Sequence, residues 1–269
     1  KVADKLNSLF KKDRKSYEDK WNDIKVVVEY GMLTEDKFFE KANSFALYPT
    51  TNNKYLTFDE LEKNIKDNQT DKDGKLIILY ASDINEQHSY IKAAEEKNYK
   101  VLLLDSPIIS HLIQKLETKK EKISFVRVDG DSIENLIKKD EDIVSKLSDK
   151  EREKLKPLIE KVIPSEKYTV KLEPMDSKAM PFILIQPEFM RRMKEMQQTG
   201  GGMMGSFPEM HTLIVNTNHT IVSQILNSKT PKKRENLINQ ALDLAKLSQN
   251  LLKGEELTEF INRSLKMVK

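Results

Sequence analysis

The apolar residues of this chain change from a purely helical period close to Lys75, and that switch constrains the fold more than any other feature. Upstream, they recur at the i, i+3, i+4, i+7 spacing of amphipathic helices. Val2, Leu6, Leu9 and Phe10 form one stripe; Tyr17, Trp21, Ile24 and Val28 form a second, which Gly31 is expected to end. A third helix is expected from Glu35 to about Phe45, with Phe38, Phe39, Ala42 and Phe45 on one side and Pro49 just beyond. Thr57 followed by Glu60 has the pattern of a capping box and opens a short fourth helix. Asp67–Gly74 is polar and turn-rich, a loop. Downstream, short apolar runs at Leu76–Tyr80, Val101–Leu104 and Ile123–Val128 alternate with helical stretches near Glu86–Lys97 and Ile109–Leu116. Strand, helix, strand, helix, strand calls for right-handed crossovers and a small parallel sheet.

The remainder reads differently. Residues 129–150 are rich in Asp, Lys and Ser and suit a polar connecting helix. A helix from Glu151 to Val162 stops at Pro164, and strands follow at Tyr168–Glu173, Phe182–Ile185 and His211–Asn216. Pro187 sits at the first-turn position of a methionine-bearing helix that Gly200 closes. Two helices end the chain: Pro231 to about Leu252, with Thr230 as N-cap and Gly254 behind it, and Glu255–Val268. The fold class is therefore an α/β segment over 1–128 (helical over 1–68, with a short three-stranded parallel sheet over 75–128), a connecting segment over 129–150, and an α+β domain over 151–269 that ends in a helical hairpin.

Bulk chemistry narrows the functional classes. A length of 269 residues fits two domains of ordinary size. One third of the residues are charged, yet the formal net charge is only +3, and no Arg/Lys run interleaves with aromatics; nucleic acid is not an expected partner. Cysteine is absent, which removes disulfides, thiolate nucleophiles and sulfur-ligated metals. No apolar run approaches the roughly 20 residues a membrane span needs. The chain opens on Lys1 with a helix already under way and reads as a fragment of a longer protein. No GxGxxG or GxxxxGK[ST] follows any strand, so no backbone amides are arranged to cradle a phosphate. Asp83 and Asp105 stand at carboxyl ends of strands, where they either serve a small-molecule enzyme or sensor or simply cap the next turn. His88, His111, His211 and His219 are too dispersed for a metal constellation, and Ser89, Ser106 and Ser110 lack a nucleophile elbow.

Two features point to association instead. Eight of the ten methionines fall between Met175 and Met210, five of them in FMRRMKEMQQTGGGMM. Methionine re-packs against many shapes, so the cluster is either core filler or an adaptable apolar surface. The helix after Thr230 is apolar around most of its circumference, with Leu237, Ala241, Leu244, Ser248 and Leu251 on alternating four- and three-residue steps. Leu257, Ile261 and Leu265 repeat the pattern in the last helix. These helices either pair only with each other or build an isologous four-helix dimer; a third possibility is a structural adaptor that pairs with another protein.

The strings YEDKW (Tyr17–Trp21), EYGMLTEDKFFEKANSFALY (Glu29–Tyr48), YKVLLLDSPI (Tyr99–Ile108), FVRVDGDSIENLI (Phe125–Ile137) and TLIVNTNHTIV (Thr212–Val222), in this order and across essentially the whole chain, resemble the ninety-kilodalton heat-shock chaperones of the bacterial HtpG branch. The resemblance implies the later part of the family's middle domain followed by its dimerisation domain. It implies a cytoplasmic homodimer that binds unfolded or partly folded clients, with no catalysis and no cofactor in this stretch. The ATPase domain, with ATP and Mg, belongs to the full-length parent. By the same resemblance the client-facing positions are Phe189, Met193 and Met196 with Met190, Met203 and Met204 as neighbours, joined by His111 and Gln114, although some bacterial relatives carry tryptophan where His111 stands. Met175 and Met180 are assigned to the core, and Leu237, Ala241, Leu244, Ser248, Leu251, Leu257, Ile261 and Leu265 to the dimer interface. Two departures stand out. The family's NPxHP reads Asn216-Thr217-Asn218-His219-Thr220 here, which implies a similar turn with weaker restriction. The chain ends KMVK, without the EEVD-type tail that holds repeat-domain cochaperones.

Overall fold

The computed structural model describes residues 1–139, 143–186, 188–193 and 210–267. These fall into two compact units, one made of Lys1–Lys139 with residues 188–193, the other of residues 143–186 and 210–267.

The first unit opens with α1 (Val2–Lys12), α2 (Arg14–Asp19), α3 (Trp21–Thr34) and α4 (Asp36–Ala42). The side chain of Asp13 caps α2 by accepting from Ser16 N at 3.0 Å. Gly31 does not end α3, which runs on to Thr34. Its lack of a side chain serves packing: a Cβ there would lie 2.9 Å from the Phe38 ring of α4. A two-residue antiparallel pair, β1 (Tyr48–Pro49) with β2 (Tyr55–Leu56), precedes α5 (Phe58–Gln69). The capping box is complete, with Thr57 Oγ1 accepting from Glu60 N and Glu60 Oε2 accepting from Thr57 N at 2.9 Å.

The period switch becomes β3 (Leu76–Ala81), α6 (His88–Glu96), β4 (Val101–Leu103), α7 (Ile109–Lys119) and β5 (Ile123–Arg127), in a parallel sheet of order β4-β3-β5. All six residues of the central strand are buried. Ile78 and Tyr80 join a core with Phe125, Leu102 and residues of α3, α4, α5 and α7; Ile77, Leu79 and Ala81 join another with Ile91 and Ala94 of α6. A strand covered on both faces needs no polar alternation, which is why LIILYA is continuously apolar. The expected polar helix over 129–150 is, among the described residues, one short helix, α8 (Ile133–Leu136). Leu136 and Ile137 turn inward to cover the second sheet face, so this stretch is partly core.

In the second unit, Ser148 and Glu151 form another capping box at the start of α9 (Asp149–Glu160). The strands β6 (Tyr168–Glu173), β7 (Phe182–Ile185) and β8 (His211–Asn216) make a sheet of order β6-β8-β7, with β6 parallel and β7 antiparallel to β8. Val170, Phe182, Leu184, Leu213 and Val215 pack against α9, α11 (Thr220–Asn227) and α12 (Pro231–Ser248). Met175, Ile183 and Ile214 form a smaller cluster. The turn after β8, with Thr217 and Thr220 where the family's prolines are expected, is held by the side chains of Asn216 and Asn218. Asn216 Oδ1 accepts from Met175 N and Asn218 N at 3.2 and 3.0 Å, and its Nδ2 donates to Asp176 O at 2.8 Å. Asn218 Oδ1 accepts from Lys146 N at 2.6 Å, and its Nδ2 donates to the carbonyls of Val144 and Met175, each at 3.1 Å. His219 caps α11, its Nδ1 accepting from Ile221 N; burial lowers its pKa, which favours the neutral ring this acceptor role requires.

α12 ends at Ser248, short of Leu252, because Asn250 takes the left-handed conformation (φ 54°) and Leu251 N bonds back to Lys246 O. Thr230 does occupy the N-cap position, but its side chain makes no capping hydrogen bond. The last helix is α13 (Gly254–Met267).

Candidate functional site

Residues 188–193, the described part of the methionine cluster's centre, are helical (α10) and lie in the first unit. Glu188 precedes Arg191 and Arg192 by three and four residues, the spacing at which helix side chains meet. Its carboxylate accepts from Arg191 Nε at 3.0 Å and Arg192 Nε at 2.8 Å, and Arg191 Nη2 adds a further short contact. Arg191 is 5% exposed. Its Nη2 donates to the Tyr80 hydroxyl of β3 at 2.6 Å, and its guanidinium lies 5.7 Å from the centre of that ring. Arg192 bridges two elements: it meets both carboxylate oxygens of Glu117 on α7, at 2.8 and 3.3 Å, and reaches the Phe125 carbonyl on β5 at 2.6 Å. Glu117 is itself fixed, accepting from Phe125 N at 2.7 Å.

The electrostatics favour charge throughout. Burial pushes the Glu188 carboxyl up, but Arg191 and Arg192 outweigh it and hold it below the usual carboxylate range. Burial likewise opposes the Arg192 charge, and Glu117 and Glu188 more than offset it. A buried guanidinium with this many acceptors is a satisfied one.

On this base, Phe189 is 71% exposed, while Met190 and Met193 are half-buried. Met196, Met203 and Met204, with Gly200–Gly202, lie outside the described residues. Met175 is buried in the second unit's small cluster. Met180 is not in the core as expected: it is 40% exposed, because it falls in the connection between β6 and β7 where no sheet face covers it. On α7, Gln114 is exposed and His111 half-buried, above buried Leu112, Ile113 and Leu116. Glu117 stands one turn beyond Gln114, so the Arg192–Glu117 pair joins the helix carrying His111 and Gln114 to the turn carrying Phe189. Sequence reasoning missed Tyr80, Glu117 and the Phe125 carbonyl as partners; the one local signal was Glu188 placed i+3 and i+4 from two arginines.

The candidate association helices lie in the second unit. Ala241 is buried in its core with Ile238, Leu242 and Ala245; Leu237, Leu244, Ser248 and Leu257 are half-buried; Leu251 is exposed. α12 and α13 are tied by polar groups: Arg263 to Gln240 and Asp243, Gln240 to Ser264 at 3.0 Å, and Lys246 to Glu256 at 3.1 Å. Ile261 and Leu265 remain 48% and 63% exposed.

The strand-end acids do not build a metabolite site. Asp83 accepts from Asn85 N and Glu86 N, which makes it a turn residue, and Asp105 pairs with Lys25 Nζ at 2.5 Å. The cavity lined by Trp21, Lys25, Glu29, Tyr48 and Asp105 measures about 10 Å³, room for one water at most. Burial pushes the Glu29 carboxyl in it up, against a hydrogen bond from Ser106 and the charge of Lys25. Among the described residues no three His, Asp or Glu side chains could hold a metal ion, and no helix is long and apolar enough to cross a membrane.

No protein-family model matches the sequence. Individual chaperones do. The chaperone protein HtpG of Bacteroides thetaiotaomicron is 36% identical over 337 aligned residues, which cover 100% of this chain and 50% of that protein. HtpG of Porphyromonas gingivalis is 35% identical, with 100% and 49% covered, and that of Bacteroides fragilis 34%, with 100% and 50%. The chain belongs to the HtpG family. It spans about half the length of the curated relatives it matches. HtpG membership supports a chaperone role and leaves the metabolite-enzyme and adaptor readings without favour.

Proposed function

We propose that this chain is the later part of an HtpG-type chaperone, with middle-domain residues at 1–128, a connection at 129–150 and a dimerisation domain at 151–269. It binds unfolded or partly folded client proteins in the cytoplasm and carries no catalysis or cofactor of its own; ATP and Mg act in the remainder of the parent. Phe189, Met190 and Met193, with Met196, Met203 and Met204, provide the client surface, and His111 and Gln114 extend it. Self-association through Leu237, Leu244, Ser248, Leu251, Leu257, Ile261 and Leu265, with Ala241 buried in the unit's own core beneath them, sets two such surfaces in one molecule, where avidity offsets weak individual contacts.

One observation carries the client reading: a large aromatic side chain, Phe189, stands 71% exposed on a turn whose charged residues, one buried and two half-buried, are all paired. Covering the rest of that ring is worth about 1–2 kcal/mol, close to tenfold in affinity. Phe189→Ser is therefore expected to weaken suppression of a model protein's aggregation by about that factor, with the fold intact. Unchanged suppression would refute the assignment.

A further inference from the structure

We propose that Glu188, Arg191 and Arg192, seated on Tyr80 and Glu117, form a positioning clamp that presents Phe189, Met190 and Met193 to a bound polypeptide as a preformed surface. The inference rests on the reading of these three residues as client contacts.

The geometry of one helical turn carries it. At about 100° per residue, positions 188, 191 and 192 share one side of a helix, and 189, 190 and 193 share the other. Every residue on the first side is charged: Arg191 and Arg192 engage the sheet unit and Glu188 pairs with both; every residue on the second is apolar. The clamp has three anchors on three separate elements: Tyr80 on β3, Glu117 on α7 and the Phe125 carbonyl on β5. A rotation of the turn about its axis would break contacts on all three. Arginine suits this role because its planar fork fixes direction as well as distance, which a lysine point charge does not. Net stability is a poor explanation for such a network, since buried ion pairs are often matched or bettered by apolar packing of the same volume. What they do supply is a single orientation. A surface held in its binding orientation avoids the ordering cost that a free segment would meet on binding.

The clamp makes Tyr80, Glu117 and Arg192 positioning residues that need not touch the client. The test uses the full chain with Arg192→Met, which keeps the aliphatic stem, and Tyr80→Phe, which removes one hydroxyl and leaves every charge paired. Backbone order parameters of residues 188–193 are read by NMR relaxation, with the β3 amides as the fold control. Affinity is read against a reduced, carboxymethylated protein as a permanently unfolded probe. In the parent the order parameters should be near 0.85 and in Arg192→Met below about 0.6, with Tyr80→Phe between them. Probe binding should weaken in the same order, by about threefold or more for Arg192→Met. Phe189→Ser should weaken probe binding and leave the order parameters unchanged. Unchanged order in both clamp variants overturns the clamp, and lost order with undiminished binding overturns its positioning role. If Phe189→Ser leaves binding intact, the client reading fails instead, and the order parameters still decide whether the clamp exists.

Discussion

Replacing Asn216 by alanine isolates the asparagine turn that stands where relatives of this family are expected to carry prolines. The side chain is completely buried and makes three hydrogen bonds, accepting from Met175 N and Asn218 N and donating to Asp176 O. Alanine leaves two N–H groups and one carbonyl without that partner. A buried group deprived of its partner costs about 1–3 kcal/mol. The two N–H groups share one oxygen and the small void can admit water, so the expected loss is about 3–5 kcal/mol. Trp21 lies in the other unit, so tryptophan fluorescence is the wrong reporter. Amide exchange of β8, residues Leu213–Asn216, reads the loss directly. Asn216→Asp gives an independent check. Its carboxylate keeps the acceptors but opposes the Asp176 carbonyl, so its folded pKa is raised above the unfolded value. The variant should accordingly be least destabilised in acid and worsen as pH rises through that folded pKa. A loss below about 1 kcal/mol for Asn216→Ala would show that water or a shifted backbone replaces these bonds, and the account of the turn would be wrong.

Gly31→Ala places a Cβ 2.9 Å from the Phe38 ring, which stands edge-on to Phe45 with centroids 6.0 Å apart. Overpacking of about 1–3 kcal/mol outweighs a helix-propensity gain of up to about 1 kcal/mol, so Trp21-monitored unfolding should show a net loss near 1 kcal/mol, and a stabilised variant would contradict the packing role. Arg14 meets both oxygens of Glu60, at 2.5 and 2.8 Å, and holds that carboxyl at about 2 against its ordinary 4.5. Because the folded pKa is depressed, the pair's contribution is complete above pH 4.5 and is lost as pH falls through about 2. Both groups are more than one-third exposed, so the stability gap between parent and Arg14→Gln should be at most about 1 kcal/mol near neutrality and should vanish over that acid range; a constant gap would refute the pairing.

Local signals were legible in the sequence wherever a short stretch decides its own conformation. The capping box at Thr57 and Glu60 is one case, and the switch to LIILYA is another, since a strand buried on both faces reads as a continuous apolar run. What escaped depended on contacts or on atypical residues. Helix α11 begins Thr-Ile-Val, which lowers its helix propensity, and its cap is a histidine ring nitrogen in place of a hydroxyl or carboxylate. The β1–β2 pair is two residues long and leaves no period to detect. Asn250, in place of the expected glycine, ends α12, because asparagine also tolerates positive φ. For the candidate site, the apolar residues of FMRRM were legible and their setting was not. Arg192 and Glu117 are 75 residues apart and Arg191 and Tyr80 are 111 apart, so only the folded chain brings them together. Two adjacent arginines in an apolar stretch look like solvated charges until their partners are found.

The proposal that this chain sets two client surfaces in one molecule depends on self-association, and the exposed Ile261 and Leu265 of α13 are its most direct support. Light scattering of the chain at tens of micromolar measures it without labels or clients. A dimer has twice the 31.2 kDa chain mass, and the mass should fall to that of one chain when Ile261 and Leu265 are both replaced by serine. A single-chain mass for the parent at every concentration would contradict it.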